Sequence, residues 1–294
     1  MYKRNYKRSY QPTSRPSRQK EVTDKIVASL REGVAPWTKP WETNPLGVVP
    51  KNGLTRKPYR GGNVINLWFA QSEGKFVSPY WVTFKQALEL GGNVKKGEHS
   101  IAWIASFGSY RKVDENGEES FGKYAKASSV FNVEQCEGLK PDLYYVPAPK
   151  TDHERQEHVE AYIKNLGAVV DHYGEKAFYS PSADKIVLPP FEVFNTPEDY
   201  YASSLHEHAH WTGHESRLNR LSKCASFGSP DYSREELVAE IGAVFLKAET
   251  GMNNGIDNAA AYIKNWWEKI KEDKGSLITA AGQAEKAVSF ILKG

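Results

Sequence analysis

The hydrophobic and polar positions change rhythm twice along the chain, near residue 94 and near residue 150. Thr23 can cap a helix whose apolar residues Ile26, Val27 and Leu30 share a face, with Gly33 and Pro36 closing it. A Gly-, Pro- and Asn-rich stretch runs through Arg60, and "GGNVINLWFAQSEG" then predicts a second helix. "SPYWVTFKQALELGG" reads as a short strand turning into a third helix that ends near Gly91. From Val94 the pattern is β-prone. "SIAWIASFGSYRKV" and "ASSVFNVEQC" flank the polar loop "DENGEESFGKY" and predict a hairpin. "LKPDLYYVPAPK", with three prolines, predicts a linker. Beyond it, "HERQEHVEAYIKNLG" is a helical pattern. "KAFYSPSADKIVLPP" predicts a hairpin turning near Ser182 to Asp184. Helical patterns follow around 196–213, 233–250, 257–271 and 276–292, and no internal repeat stands out. The expected class is α+β: a mixed α/β front half, then a mostly helical back half with a small sheet. The expected units are an arm at 1–20, a domain at 21–148 and a domain at 149–294.

Composition fits two globular units, with 39% hydrophobic and 26% charged residues over 294 positions. No stretch approaches the eighteen or so apolar residues of a membrane span, and the start of the chain has no apolar signal region. Cys136 and Cys224 stand alone, which argues against a disulfide framework and for a cytoplasmic setting. Charge changes the picture more. Residues 1–150 hold 24 Lys+Arg against 14 Asp+Glu, and residues 151–294 hold 15 against 22, so a net +3 conceals +10 followed by −7. Five of the eight tryptophans also lie in the front half. Residues 1–20 carry seven basic residues and no acidic one, the composition of a disordered basic arm.

Basic and aromatic residues interleaved in loops suit single-stranded nucleic acid, because bases stack on rings while cations follow the phosphates. Trp37, Lys39 and Trp41 in "PWTKPW" have this character. So do Arg56, Lys57, Tyr59 and Arg60 in "TRKPYRGG", and Lys95 and Lys96 add a basic turn. The plain alternative is that tryptophans beside prolines fill a core.

The stretch "LHEHAHWTG" carries the clearest chemistry. His206 and His210 lie four apart, so on a helix both imidazoles project from one face and can grip one ion. Glu207, between them, is placed to act as general base on a water beside that ion. Thr196 as N-cap, Pro197 at the first position and Glu198 and Asp199 in the first turn predict that helix. His208 faces elsewhere, as a solvated or supporting residue. Gly213 is expected to end the helix before His214, and Ser216 stands where a third histidine of a longer motif would be. The third ligand is therefore expected from "YSREELVAEIGAVFL", with Glu236 leading and Glu240 and Glu235 as alternatives. Glu240 can instead orient a histidine. Ser233 and Glu236 also match a capping box, a purely structural role. Two histidines, one carboxylate and an open position describe a hydrolytic site for one divalent ion, zinc first and manganese second. Strand residues Phe178 to Ser180 can form an edge for an extended peptide, and Tyr179, Tyr201 and His214 are candidates to hold the oxyanion.

Taken together, "GVAPWTKPW", "YRGGNVINLW", "WVTFKQALELGGNVKKGE" and "VFNVEQC" in front resemble the ArdC-type antirestriction family. So do "YYASSLHEHAHWTGHESRLNR", "EELVAEIGAVFL" and "YIKNWW…AAGQAEKAVSFIL" behind, and the resemblance spans about Val22 to the end. It implies an N-terminal single-stranded-DNA-binding domain and a C-terminal zincin-like metallopeptidase domain. It also implies carriage on plasmids and other mobile elements, with incoming DNA shielded from host restriction. Glu236-x-x-x-Glu240 is similar to the third-ligand helix of thermolysin-like zincins. The arm at 1–20 lies outside the resemblance. Two rivals remain at this level: a metalloprotease whose front half recruits a host protein substrate, and a DNA-binding protector whose metal site is structural or vestigial.

Overall fold

The computed structural model describes residues 48–113, 119–144, 152–221, 229–252 and 274–293. The arm at 1–20, the helix expected at Thr23, the Trp37–Lys39–Trp41 cluster, Cys224 and the helix expected over 257–271 lie outside these residues. The class is mixed α+β. The front half contains β1 (Lys51–Asn52), α1 (Gly62–Glu73), β2 (Tyr80–Val82), α2 (Phe84–Glu89), β3 (Asn93–Val94), β4 (Ala102–Val113), β5 (Glu119–Asn132) and β6 (Cys136–Glu137). The back half contains α3 (Asp152–Asn165), β7 (Val169–His172), β8 (Phe178–Ser180), β9 (Lys185–Leu188), α4 (Pro197–Trp211), α5 (Pro230–Thr250) and α6 (Lys274–Ile291). No helix among the described residues is long and apolar enough to cross a membrane.

The front sheet runs β1-β2-β5-β4, with β1 parallel to β2 and the other pairs antiparallel. The expected strand-to-helix turn is present: Thr83 accepts from the Gln86 amide, and the Gln86 side chain returns the bond. The expected hairpin is present as β4–β5, in register from Ala102↔Val130 to Val113↔Glu119, but its second strand begins at Glu119, so residues 119–124 of the expected polar loop are strand, held by pairing with β4. The small back sheet runs β7-β9-β8, so β8 is an edge. β7 was not legible in the sequence. Four residues, "VVDH", give too short an alternation, and their strand character comes from parallel pairing with β9.

α1 is buried nearly all round because it serves two cores. Leu67 and Ala70 pack with Trp81, Ala102, Ile104 and Val130 of the sheet. Val64, Ile65 and Trp68 join Leu205 of α4, Leu237 to Ala248 of α5 and the apolar side of α6. Trp68 meets Phe245 edge-to-face at 5.8 Å. Between these faces, two asparagines bind the outer edge of β4. The Asn63 amide donates to the Ala105 carbonyl at 2.9 Å and accepts from the Ala105 amide at 2.8 Å. Asn66 donates to the Trp103 carbonyl. The helix thus satisfies backbone groups that an edge strand would otherwise leave open.

Truncation of Trp68 tests this dual role. Trp68→Ala removes a ring that is 2% exposed and should cost about 3–5 kcal/mol. Denaturant unfolding should still be a single transition, followed by one probe in the β4–β5 sheet and one in α5. Two separated midpoints in the wild type would show that the shared helix does not couple the halves.

Candidate metal centre

Helix α4 forms as its sequence directs. Thr196 accepts from the Asp199 amide at 3.2 Å, Pro197 occupies the first position, and Glu198 and Asp199 face the positive end of the helix. It ends at Trp211 with Thr212 as C-cap, one residue before the expected Gly213. α5 begins at Pro230, capped by Ser229, whose hydroxyl accepts from the Tyr232 amide. That start lies three residues before the expected one and corrects the capping-box reading. Ser233 is inside the helix and buried, so Glu236 closes no cap and is free to face α4.

The two helices cross closely. A Cβ on Gly242 would stand 3.3 Å from the Ala209 Cβ, so glycine sets the separation at this point. The approach brings His206, His210 and Glu236 together, with one donor atom from each within 4.8 Å of the others. His206 Nε2 lies 3.1 Å from His210 Nε2, and the Glu236 carboxylate oxygens lie 3.6 Å from each. Donors about 2.0–2.1 Å from a tetrahedral ion stand roughly 3.3–3.4 Å apart, so this spacing fits one ion. The other two glutamates considered from the sequence take separate places. Glu235 Oε1 is 3.4 Å from His210 Nδ1, and Glu240 Oε1 is 3.6 Å from His206 Nδ1. Each imidazole thus faces a carboxylate behind it while its Nε2 faces the cluster.

Charge supports the same fit. Among the described residues, Glu207, Glu235, Glu236 and Glu240 share the region with two cations, Arg220 and Lys247. With neutral imidazoles, two negative charges are left over, which is the charge one divalent ion would balance. The excess is felt by His210. Burial opposes its charging, but Glu235 and Glu236 outweigh burial and raise the imidazole to about 10. Burial also opposes ionisation of Glu236, yet His206 and His210 hold it well below the usual carboxylate range. Burial raises Glu240 and lowers Lys247, and each partly offsets the other. Arg220 was not singled out from the sequence. Its guanidinium holds Glu235 through two bonds of 2.9 and 3.2 Å, and it also donates to the Ala209 carbonyl and the Thr212 hydroxyl. Nothing in the spacing of "SRLNRL" marks it. Tyr232 is a second residue missed: its hydroxyl hydrogen-bonds Glu236 and helps keep that carboxylate charged.

The remaining candidates separate. His208 is fully buried rather than solvated. Burial lowers it to about 4, and its Nδ1 lies 2.7 Å from the Ser204 carbonyl oxygen. His214 turns to Ser216, and Tyr201 donates to Glu160. Tyr179 donates to Asp184 and accepts from Arg217. Of the front-half residues considered for DNA, Lys57, Arg60, Lys95 and Lys96 are exposed. Arg56 is engaged with Asp142 at 2.5 Å and stacks over Tyr80, and Tyr59 is half-buried against both cores.

Enlarging the crossing residue should separate ligand from ligand. Gly242→Val should weaken divalent-ion affinity by at least tenfold while circular dichroism keeps the helical signal, because the added methyls meet Ala209 where no slack exists. Unchanged affinity would show that the crossing does not set the donor spacing.

Comparison with known proteins agrees with this geometry. Residues 17–133 match the family model of the N-terminal domain of anti-restriction factor ArdC, and residues 157–283 match that of a zincin-like metallopeptidase. A DNA primase TraC of Escherichia coli is 36% identical over 292 residues, which cover 92% of this chain. The chain spans only 27% of that relative's length. The metal-free crystal structure of the antirestriction ArdC protein of plasmid R388 superposes with a TM-score of 0.77 at 36% identity, covering 93% of this chain and 96% of that one. Its Mn(II)-bound structure gives 0.75 at 35%, covering 95% and 98%. A zincin-like centre between two helices, behind a front half of the ArdC type, places this chain in the ArdC-type antirestriction family.

Proposed function

We propose that the chain is a cytoplasmic antirestriction protein of a mobile element. Its front half binds single-stranded DNA, and its back half carries a metallopeptidase centre for one divalent ion. The observation that carries the reading is the convergence of His206, His210 and Glu236, with buried Glu207 on the same helix outside the ligand cluster. His206, His210 and Glu236 would hold the ion. Zinc suits the donor set, and manganese is the alternative, since an ArdC protein binds Mn(II). When bound, the ion supplies Lewis-acid polarisation of a water and of the scissile carbonyl. Glu207 takes the proton from the attacking water and passes it to the leaving amine. Glu240 and Glu235 fix the two rings through Nδ1, and Arg220 keeps Glu235 charged and in place. An extended peptide would add to the free edge of β8, with β9 behind it. Covering a strand is a stoichiometric act, so the front half alone would shield DNA, and likeness to part of a DNA primase favours DNA as the partner.

Purified protein should bind about one divalent ion per chain. His206→Ala and Glu236→Ala should each lose it, measured by elemental analysis. Glu235→Gln should retain it with about 10–100-fold lower affinity, because the amide still accepts from His210 but loses its charge. Stoichiometric metal in Glu236→Ala would remove that residue from the ligand set.

Glu207→Gln should keep the ion and abolish proteolysis of an unfolded protein substrate, while affinity for an oligonucleotide stays within a few-fold of wild type. Transfer of unmodified DNA into restricting and non-restricting hosts then ranks the two halves. Protection should survive Glu207→Gln. Its loss with DNA binding intact would make the peptidase the effector and the front half its targeting device.

A further inference from the structure

The chain leaves α4 through a compact loop, residues 212–221, that carries two arginines three positions apart. The loop is tied to itself. The Leu218 amide donates to the Thr212 carbonyl at 3.0 Å, and the Arg220 and Leu221 amides donate to the Gly213 carbonyl at 2.8 and 3.0 Å. Both guanidinium groups also donate to carbonyls of the last turn of α4, where a helix leaves acceptors open and favours positive charge. Arg220 takes the Ala209 carbonyl and reaches Glu235, behind the His210 ring. Arg217 takes the Trp211 carbonyl through Nε at 2.6 Å, and its other nitrogens reach the small back sheet.

The Arg217 side chain is 10% exposed, and its guanidinium carbon lies 3.9 Å from the centre of the Trp211 ring. One nitrogen donates to Asp184 Oδ2 at 3.0 Å. The other bonds both Asp184 Oδ1 and the Tyr179 hydroxyl. Tyr179 donates in turn to Asp184 Oδ1 at 2.7 Å. Three side chains from three places are thus closed into one clamp: the loop after α4, the edge strand β8 and the turn into β9. Asp184 stands there with φ +49°, a left-handed conformation that few residues with a side chain adopt without support. The Arg217 bonds bring its carboxyl down to about 2, so the clamp stays charged at neutral pH. Beneath it, Trp211 packs with Ile186 and Leu188 of β9.

We propose that Arg217 is a positioning residue for the substrate: it fixes the β8 edge, along which the peptide lies, at one height beside the helix that bears the histidines. This rests on the peptidase reading of the back half and adds the device that holds its peptide edge. Phe178–Ser180 is three residues long and has a strand partner on one side only, so its free backbone groups are ordered for an incoming chain only if the strand is held from behind. The clamp ties that strand to Trp211, the residue after His210, so the edge and the ligand cluster share one frame. The loop divides the labour. Arg220 orients the histidine through Glu235, and Arg217 orients the substrate through Tyr179 and Asp184. With its hydroxyl engaged on both sides, Tyr179 belongs to the clamp and is not the donor to a developing oxyanion.

The test is cleavage of casein by the full chain loaded with zinc, read beside amide hydrogen exchange and zinc content. Arg217→Ala should raise KM about tenfold and leave kcat within about twofold, because a loosened edge must be ordered by the peptide while the reacting atoms stay in place. Arg217→Lys should behave like Arg217→Ala, since an ammonium neither forks nor stacks. Asp184→Asn can keep the left-handed turn, should raise KM by less, and carries the test if Arg217→Ala fails to fold. In each variant exchange should quicken over residues 178–188 and not over 197–211, with zinc content as in wild type. An unchanged KM in a folded Arg217→Ala would overturn the assignment, whatever the exchange shows. So would a Tyr179→Phe variant whose kcat falls about a hundredfold at constant KM, because that is the mark of an oxyanion donor. Loss of zinc from Arg217→Ala would make the residue a support of the metal cluster instead. A zinc-loaded wild type that leaves casein intact would overturn the peptidase reading, and the substrate role of Arg217 with it.

Discussion

A helix buried over most of its length cannot carry several carboxylates unless something neutralises them. α5 is such a helix, enclosed from Leu237 to Ala248 by α1, α4 and α6, and it carries Glu235, Glu236 and Glu240. Burying one unpaired carboxylate costs several kcal/mol, so these residues constrain everything packed against them. Arg220 answers Glu235, Lys247 lies near Glu240, and the two imidazoles of α4 answer Glu236. Neutralising charge at the crossing is thus a condition of the packing as well as of the proposed chemistry.

The same helix joins the halves. Ala209 meets α5 at Gly242, and Trp68 meets it at Phe245, three residues and less than one helical turn along. Mid-helix glycine costs about 1 kcal/mol relative to alanine, and the close crossing is what the cost secures. α1 then carries the contact onward to β4. Loading the proposed centre with a divalent ion would act on an element in direct van der Waals contact with the front half, so removing that ion should be felt as lower stability beyond the back half.

Legibility in the sequence followed the range of the interactions. α4 was readable down to its cap because Thr196, Pro197 and the acidic first turn act within four residues. The β4–β5 hairpin was readable from its alternation. The start of α5 was misplaced because Ser233-x-x-Glu236 has the spacing of a capping box, whereas the helix begins at Pro230 behind the Ser229 cap. Which of three neighbouring glutamates faces the Nε2 atoms of both histidines depends on the approach of α5 to α4 and on Arg220 holding Glu235, neither of which has a local signature. β7 and the burial of His208 depend on partners distant in sequence.

The asparagine clasp on β4 has a consequence for behaviour in a crowded cell. An open sheet edge is a template on which another chain can add, and that is how many β-rich proteins begin to aggregate. Asn63 presents an amide with the donor and acceptor of a peptide group and occupies the place of the next strand's backbone at Ala105. Asn66 adds a donor alone, to the Trp103 carbonyl. The sheet is ended by side chains of its own chain, so a protein made in quantity can keep a long exposed ribbon without that edge recruiting its neighbours at the base.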